Sequence, residues 1–447
     1  MSTLYPSLRQ TQTEHILRLL AQGECCALFG LSNTGKSPFL RSLPAPEHQA
    51  RYRQWAGRPG QLIYIDCNRG VELTAPGFYE IVLRSLLEAL EEEAAAAPPR
   101  LLDALREQHN RITDAPSVFH ASLAFNNAIS ETCAQLGRDL LLLFDEFDEV
   151  YAALEDRTLL NLRALKDKFQ NRLTYLTATL RPLAESRARG DNEFAELFAA
   201  RLIPLGLLDG ADARRAVEAQ GGGRAGVSAD LQQTIVQLSG GHFGLLTALT
   251  QSALRNPEAA HLAGEPNARA ECLKIWNQLR PDEQAALKSL VTEAQEGLNP
   301  HDREHLQALG LLTPAGQLFS ELFAAYIRRQ CAAPAQETIG VVVDEDAGEV
   351  WVDGVKVTVL TDLEYRLMRL LYQRQDRLTT KDMIVEAVWG GEYLDKVDDA
   401  RIEKLVSRLR AKIESDPAQP RYLLTQRGRG YKLSSRPVES RPEGEAV

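Results

Sequence analysis

Four short apolar runs punctuate the first two hundred residues, at 24–29 (ECCALF), 61–67 (QLIYIDC), 140–144 (LLLLF) and 173–179 (LTYLTAT). The first reads as a buried strand and the third as a parallel strand covered on both faces. The other two suit the same doubly wound sheet. Between the second and third runs, residues 78–138 carry a helical period, clearest in EIVLRSLLEALEEEAAAA, with an Ala- and Pro-rich break at 94–99. This stretch reads as an insertion with no assigned chemistry. Residues 271–330 again alternate helical pattern with short turns.

Past a short linker at 331–336 (CAAPAQ) the pattern turns to strands: IGVVVDED, GEVWVDG and VKVTVL. Ala347-Gly348 and Asp353-Gly354 supply the hairpin turns. Thr361 followed by Glu364 forms a capping box, and Leu363, Leu367, Leu370 and Leu371 give that helix an apolar face. A second helix is expected from about Thr380 to Trp389. In a third, with Asp398 as N-cap, Ile402, Leu405, Val406, Leu409 and Ile413 form a core stripe.

The composition is that of an ordinary globular protein, and 447 residues predict more than one domain. A formal charge of −10 argues against coating nucleic acid along the whole surface but leaves room for a local basic patch. The six cysteines have neither zinc-ligand nor CxxC spacing and read as reduced, small hydrophobes. With no secretory signal pattern and no apolar run of bilayer length, the expectation is a soluble cytoplasmic protein without a membrane partner.

The run at 24–29 leads into Gly30-Leu31-Ser32-Asn33-Thr34-Gly35-Lys36-Ser37, a full match to GxxxxGK[ST]. Glycines let backbone N–H groups turn inward around phosphates, the lysine reaches the β- and γ-phosphates, and the hydroxyl of Ser37 ligates Mg²⁺. The helix that follows points its positive end at the anion. The expected nucleotide contacts are Gly30, Asn33, Thr34, Gly35, Lys36 and Ser37, with ATP and Mg²⁺ as cofactors. The strand LLLLF ends in Asp145-Glu146, which suits an aspartate for the metal and a glutamate as general base. Asp148 and Glu149 read as solvated charges at a helix start. Thr177 or Thr179 suits a γ-phosphate sensor; Arg181 suits either stabilisation of that phosphate's charge, as a catalytic residue beside Lys36 and Glu146, or a simple strand-end cap.

The order of these motifs, followed by RLIPLGLLDGADARRAV and LSGGHFGLLTAL, resembles the AAA+/STAND class of P-loop ATPases. The resemblance covers roughly residues 11–330. It implies a P-loop core over 1–200, a helical lid over 201–264 and a winged-helix-like segment over 265–332. It also puts His242 at a turn that approaches the nucleotide; a structural histidine at a helix start is the alternative.

Residues 400–433 hold nine Lys/Arg against three Asp/Glu, a net of +6 within an acidic chain. Arg401, Lys404 and Arg408 share one helical face, and residues 422–433 (YLLTQRGRGYKL) read as a β-hairpin. Strands, three helices, SRLRAKIE and this hairpin together closely resemble the OmpR/PhoB-type winged helix, an α+β domain, over 337–436. The resemblance implies that Arg401, Lys404 and Arg408 enter the major groove of double-stranded DNA, while Arg427 and Arg429 touch its backbone or minor groove. Residues 437–447 are expected to be a disordered tail.

The sequence thus predicts an ATP-binding, ATP-hydrolysing transcription regulator whose nucleotide state controls assembly or DNA binding. Its expected partners are double-stranded DNA, further copies of the chain and an upstream signalling protein. The alternative is an ATP-driven machine acting on DNA, such as an initiator, transposition or defence ATPase.

Overall fold

The structure is a computed structural model. It describes residues 8–92, 97–187, 193–221, 227–255, 262, 264–292, 298–332, 340–344, 348–353, 355–357, 360–389, 399–426 and 428–437. By Cα proximity the chain divides into two compact units. The first holds Met1–Ala268 and Gln278–Ala325, the second Arg269–Asn277 and Tyr326–Val447.

The first unit is built on five strands: β1 (Cys26–Phe29), β2 (Gly60–Asp66), β3 (Asp139–Asp145), β4 (Leu173–Thr179) and β5 (Leu202–Pro204). They form one sheet in the order β2-β3-β4-β1-β5, and every pairing is parallel. The register sets Asp66 beside Asp145 and Phe29 beside Thr179, so the carboxyl ends of four strands align along one edge.

β3 has no polar face because both of its faces are covered. Leu140, Leu142 and Phe144 pack into a core with the insertion helices α4 (Ala75–Glu92), α5 (Pro99–Thr113) and α6 (Val118–Gln135). Leu141 and Leu143 point the other way, toward α1 (Gln10–Ala21), α2 (Lys36–Ser42) and α3 (Pro46–Ala56). Two helices separate β3 from β4, the short α7 (Asp148–Ala153) and α8 (Asp156–Phe169). The Ala- and Pro-rich break opens α5 with Pro99 in its first turn, a place that loses no intrahelical hydrogen bond; residues 93–96 lie outside the described ones.

After β4 comes the four-residue α9 (Glu193–Glu196), and after β5 a helical trio: α10 (Gly210–Gln220), α11 (Ala229–Ser239) and α12 (Phe243–Arg255). Asp209 caps α10 by accepting from the N–H groups of Ala211 and Asp212. The turn between α11 and α12 needs glycine at two consecutive positions. Gly240 and Gly241 have φ of +55° and +81°, and a Cβ on Gly240 would lie 1.6 Å from the carbonyl oxygen of Phe319. Then follow α13 (Pro266–Asn277), α14 (Pro281–Val291), α15 (Pro300–Ala308), a narrow hairpin bridged at Leu312 and Leu318, and α16 (Glu321–Ala332).

The second unit contains an antiparallel sheet of β6 (Val341–Asp344), β7 (Glu349–Val352) and β8 (Val355–Lys356). Of its turn residues, Gly348 and Asp353 adopt positive φ, while Ala347 and Gly354 lie outside the described residues. The helices α17 (Asp362–Gln373), α18 (Lys381–Val388) and α19 (Asp399–Ile413) follow, then the hairpin of β9 (Leu423–Gln426) and β10 (Gly430–Leu433). Thr361 and Glu364 form the capping box of α17. Ile402, Leu405, Val406, Leu409 and Ile413 are all buried, so the helical stripe is the core face of α19. Asp398, expected to cap that helix, lies outside the described residues, as does the expected tail beyond Pro437.

Candidate nucleotide site and basic helix

Gly30 to Gly35 form the turn between β1 and α2, at the carboxyl edge of the sheet, and Lys36 and Ser37 open the helix. Asn33 and Gly35 take left-handed conformations, with φ of 62° and 95°. A Cβ on Gly30 would lie 2.8 Å from the carbonyl oxygen of Leu205, too close to fit, while one on Gly35 would press on the ring of Phe243 at 3.1 Å. Thr34 is buried, and its hydroxyl donates to the carbonyl of Leu31 at 2.9 Å. Ser37 lies half-buried in the first turn of α2.

Lys36 is buried, and its ammonium donates to the carbonyls of Gly30 at 2.6 Å and Leu31 at 3.1 Å. Burial lowers its pKa, and the nearby carboxylates of Glu146, Asp148 and Asp145 oppose that shift. The lysine and the Asp-Glu pair that the sequence separates by about a hundred residues therefore act on one another across the edge of the sheet.

Asp145 is fully buried and its two oxygens are engaged. Oδ2 accepts from the Tyr64 hydroxyl at 2.6 Å, and Oδ1 accepts from the N–H of Glu146 at 3.1 Å. Glu146 has φ of 51°, a conformation costly for a residue with a side chain and one that persists only where neighbours enforce it. Phe147, the next residue, is anchored in the core. Its ring is buried against Phe144 and Phe78 at centroid distances of 5.2 and 6.0 Å, burial that contributes roughly 1.5–3 kcal/mol for a side chain of this size. Burial raises the pKa of Glu146, Lys36 opposes the rise, and Asp145 and Asp148 add to it. A carboxylate moved toward neutrality in this way is suited to taking up a proton.

Asp148 departs from its reading as a solvated charge. Its Oδ1 accepts from the N–H of Leu180 at 2.8 Å and so ties the start of α7 to the end of β4; burial raises its pKa. Thr179 donates its hydroxyl to the carbonyl of Arg181 at 2.6 Å. The hydroxyl of Thr177 is buried with no hydrogen-bond partner among the described residues. Arg181 is no surface cap. Nη1 and Nη2 each reach an oxygen of Glu283 at 2.7 Å, and the side chains are only 13% and 3% exposed. Such a paired fork is geometrically specific.

The turn before α12 lies against the P-loop: the N–H of Gly244 donates to the carbonyl of Asn33 at 2.8 Å. His242 is buried with its ring tilted against that of Phe319, and its Nδ1 accepts from the N–H of Leu245 at 3.3 Å. Burial, then the charges of Arg9 and Lys36, lower its pKa to about 3. The ring is therefore neutral with its proton on Nε2, and that nitrogen has no partner among the described residues. An unsatisfied buried donor and a loop whose Asn33 and Gly35 hold left-handed conformations both fit a polyanionic ligand.

Four residues of this region escape sequence reasoning. Tyr64 holds Asp145, Gln278 and Glu283 hold Ser32 and Arg181, and Arg9 donates from Nη2 to the carbonyls of Thr34 and Gly206 at 3.0 and 2.7 Å. Burial lowers the pKa of Arg9 to about 10. Arg9 also has a left-handed backbone, φ 56°, a conformation no local pattern in LRQTQ announces.

In the second unit, Arg401, Lys404 and Arg408 lie exposed on α19, opposite its buried stripe. Arg429 is exposed at the turn of the β9–β10 hairpin, and Arg427 lies outside the described residues. Arg410 differs from them. It donates from Nε and Nη2 to the carbonyl of Leu423 at 2.9 and 2.6 Å, and from Nη2 to the Thr425 hydroxyl at 2.8 Å. It fastens the hairpin to the helix.

A P-loop after β1, an Asp-Glu pair closing β3 and β4 lying between those two strands define the first unit as a P-loop NTPase fold. The second unit holds a winged helix, and residues 356–433 match the family described as "Transcriptional regulatory protein, C terminal". Over 93 residues the chain is 37% identical to the uncharacterized transcriptional regulatory protein YrkP of Bacillus subtilis, covering 21% of this chain and 39% of that protein. Over 110 residues it is 39% identical to the DNA-binding response regulator MtrA of Mycolicibacterium smegmatis, covering 24% and 47%. The chain thus spans less than half the length of these curated relatives. Among solved structures it is similar to the Walker-type ATPase PABY2304 of Pyrococcus abyssi, at 14% identity and a TM-score of 0.45 over 72% of this chain and 96% of that one. The Aeropyrum pernix ORC2 protein, in ADPNP–ADP complexes, is similar at 12% identity and a TM-score of 0.40, over 72% and 94%. No helix among the described residues is long and apolar enough to cross a membrane.

Proposed function

We propose that this protein is a transcription regulator in which ATP, held with Mg²⁺ at the P-loop, controls sequence-specific binding to double-stranded DNA. The observation that carries the reading is the convergence of Lys36, Asp145 and Glu146 at one sheet edge, in a chain that also carries the transcription-regulator domain. Gly30, Asn33, Thr34, Gly35, Lys36 and Ser37 would hold the phosphates, with Thr179 and His242 as further nucleotide contacts. Ser37 and Asp145 would hold the metal. When bound, ATP and Mg²⁺ supply a cleavable phosphoanhydride and a counter-charge for it. Glu146 takes a proton from water, and Lys36 and Arg181 neutralise charge.

The exposed row Arg401, Lys404 and Arg408 suits a major groove, and Arg429, with Arg427, suits the adjoining backbone. Nucleotide state would act through assembly, so that paired winged helices meet paired half-sites, with an upstream protein supplying the signal. The deciding experiment measures ATP hydrolysis by wild type and Glu146→Gln, each with and without duplex DNA, while particle size is followed in parallel. Slow turnover indifferent to DNA, with a variant that traps ATP, assembles and binds DNA more tightly, supports the switch. Turnover strongly stimulated by DNA of any sequence rejects it in favour of an ATP-driven machine acting on DNA.

A further inference from the structure

One turn of the chain already satisfies two donors that a terminal phosphate would use. The turn spans residues 278–280 and leads into α14, whose first turn carries Glu283. Gln278 Oε1 accepts from the backbone N–H of Ser32 at 2.7 Å, and the carbonyl of Gln278 accepts from Arg181 Nη2 at 3.1 Å. Glu283 receives both Nη atoms of the same arginine, each at 2.7 Å.

Ser32 lies in the loop whose N–H groups cradle phosphates, and Arg181 follows the carboxyl end of β4, on the edge where such sheets bind ligands. An amide oxygen and a carboxylate are the protein groups nearest in kind to phosphate oxygens. They are also well supported. Besides the arginine, Glu283 accepts from the N–H of Arg280 at 2.8 Å and from His305 Nε2 at 2.7 Å. Burial alone would raise the pKa of Glu283, but these partners hold it below the usual carboxylate value, so it stays charged.

We infer that Gln278 and Glu283 set the nucleotide preference of the site, standing in for a terminal phosphate and so favouring a nucleoside diphosphate over a triphosphate. This inference rests on the nucleotide-binding reading above. A diphosphate at the N-terminal end of α2 leaves Ser32 and Arg181 with their protein acceptors. A triphosphate that engages either donor must displace an acceptor already in place, and its apparent affinity is reduced to the fraction of molecules in which that arrangement is open. It also strips a buried carboxylate of its main partner.

The test is calorimetric titration of the full chain with ADP and with a non-hydrolysable imido analogue of ATP, in wild type, Gln278→Ala and Glu283→Gln. Both variants should raise the ratio of triphosphate to diphosphate affinity by about tenfold, through tighter triphosphate binding. Hydrogen exchange supplies a second readout: in wild type the analogue should speed exchange at residues 278–291, and ADP should leave it unchanged. Gln278→Ala keeps every bond of Glu283 and serves if Glu283→Gln fails to fold. An unchanged ratio in Gln278→Ala, with both nucleotides bound, overturns the inference and spares the nucleotide reading. If wild type binds neither nucleotide, both fall.

Discussion

The hydroxyl of Tyr64 on β2 donates to Asp145 Oδ2 on β3 at 2.6 Å, across the parallel pair that sets Asp66 beside Asp145. The Arg41 guanidinium lies over the Tyr64 ring, 5.1 Å from its centroid. Burial, then the Asp145 charge, raises the phenol's pKa, so the group remains a protonated donor at neutral pH. If Asp145 holds the metal, Tyr64 fixes how its carboxylate is presented. Tyr64→Phe should then raise the Mg²⁺ concentration for half-maximal nucleotide binding by roughly tenfold or more, as loss of an outer partner does at other metal sites. Nucleotide affinity in EDTA should not move. A variant with wild-type Mg²⁺ dependence would remove Tyr64 from the site.

Lys36 and Glu146 share one environment but should fail in different ways. Lys36→Ala removes the buried ammonium that bridges the Gly30 and Leu31 carbonyls, and should abolish nucleotide binding measured by titration. Glu146→Gln keeps the side chain's shape and removes its basicity. It should bind nucleotide as wild type does and lower turnover by about a hundredfold or more, the range general-base catalysis supplies. Equal binding defects in the two variants would mean that Glu146 is no base.

How far the sequence discloses this arrangement follows from where each interaction is made. LLLLF reads as a buried strand because its neighbours cover both faces, and the P-loop reads directly because eight consecutive residues make it. The stripe from Ile402 to Ile413 is legible for the same local reason. Tyr64, Gln278 and Glu283 give no such sign. Their partners lie 81, 246 and 102 residues away in the chain, and neither a tyrosine in QLIYIDC nor a glutamate in a helix's first turn is unusual. Asp148 shows the converse. Next to Glu149 at a helix start it looks like a solvated charge, and only the folded chain brings the N–H of Leu180 to it.

His242 makes the first unit sensitive to acid. Its ordinary pKa of 6.5 is lowered to about 3 in the native chain, so between those values the unfolded chain binds a proton that the folded chain refuses. Stability is therefore full above about 6.5 and falls as the pH drops below it, by roughly 2 kcal/mol at pH 5. His242→Gln removes the titration and should flatten this part of the profile. Urea midpoints at pH 7 and pH 5 for both proteins check the point. The same acid-induced drop in each would show that His242 does not carry it.

The basic residues near the carboxyl end divide into those that hold the fold and those turned to solvent, and the two sets should respond differently to mutation. Arg410 is engaged by Leu423 and Thr425, and Lys412 donates to Glu364 at 2.6 Å. Burial lowers the pKa of Arg410, a sign of how far it is withdrawn from solvent. Lys404, Arg408 and Arg429 are exposed. On the proposed reading, replacing Arg408 or Arg429 by alanine should leave the melting temperature unchanged. For every phosphate that a variant no longer reaches, the slope of log affinity against log salt should become about 0.9 shallower. Arg410→Ala should do the reverse. It leaves the Leu423 carbonyl without its donor and should destabilise the hairpin by about 1–3 kcal/mol, with little change in salt slope for the fraction still folded. Duplex binding at several salt concentrations, beside thermal melts of the three variants, separates the two sets. If Arg408→Ala and Arg429→Ala keep the wild-type slope, this face of α19 and its hairpin do not meet a phosphate backbone.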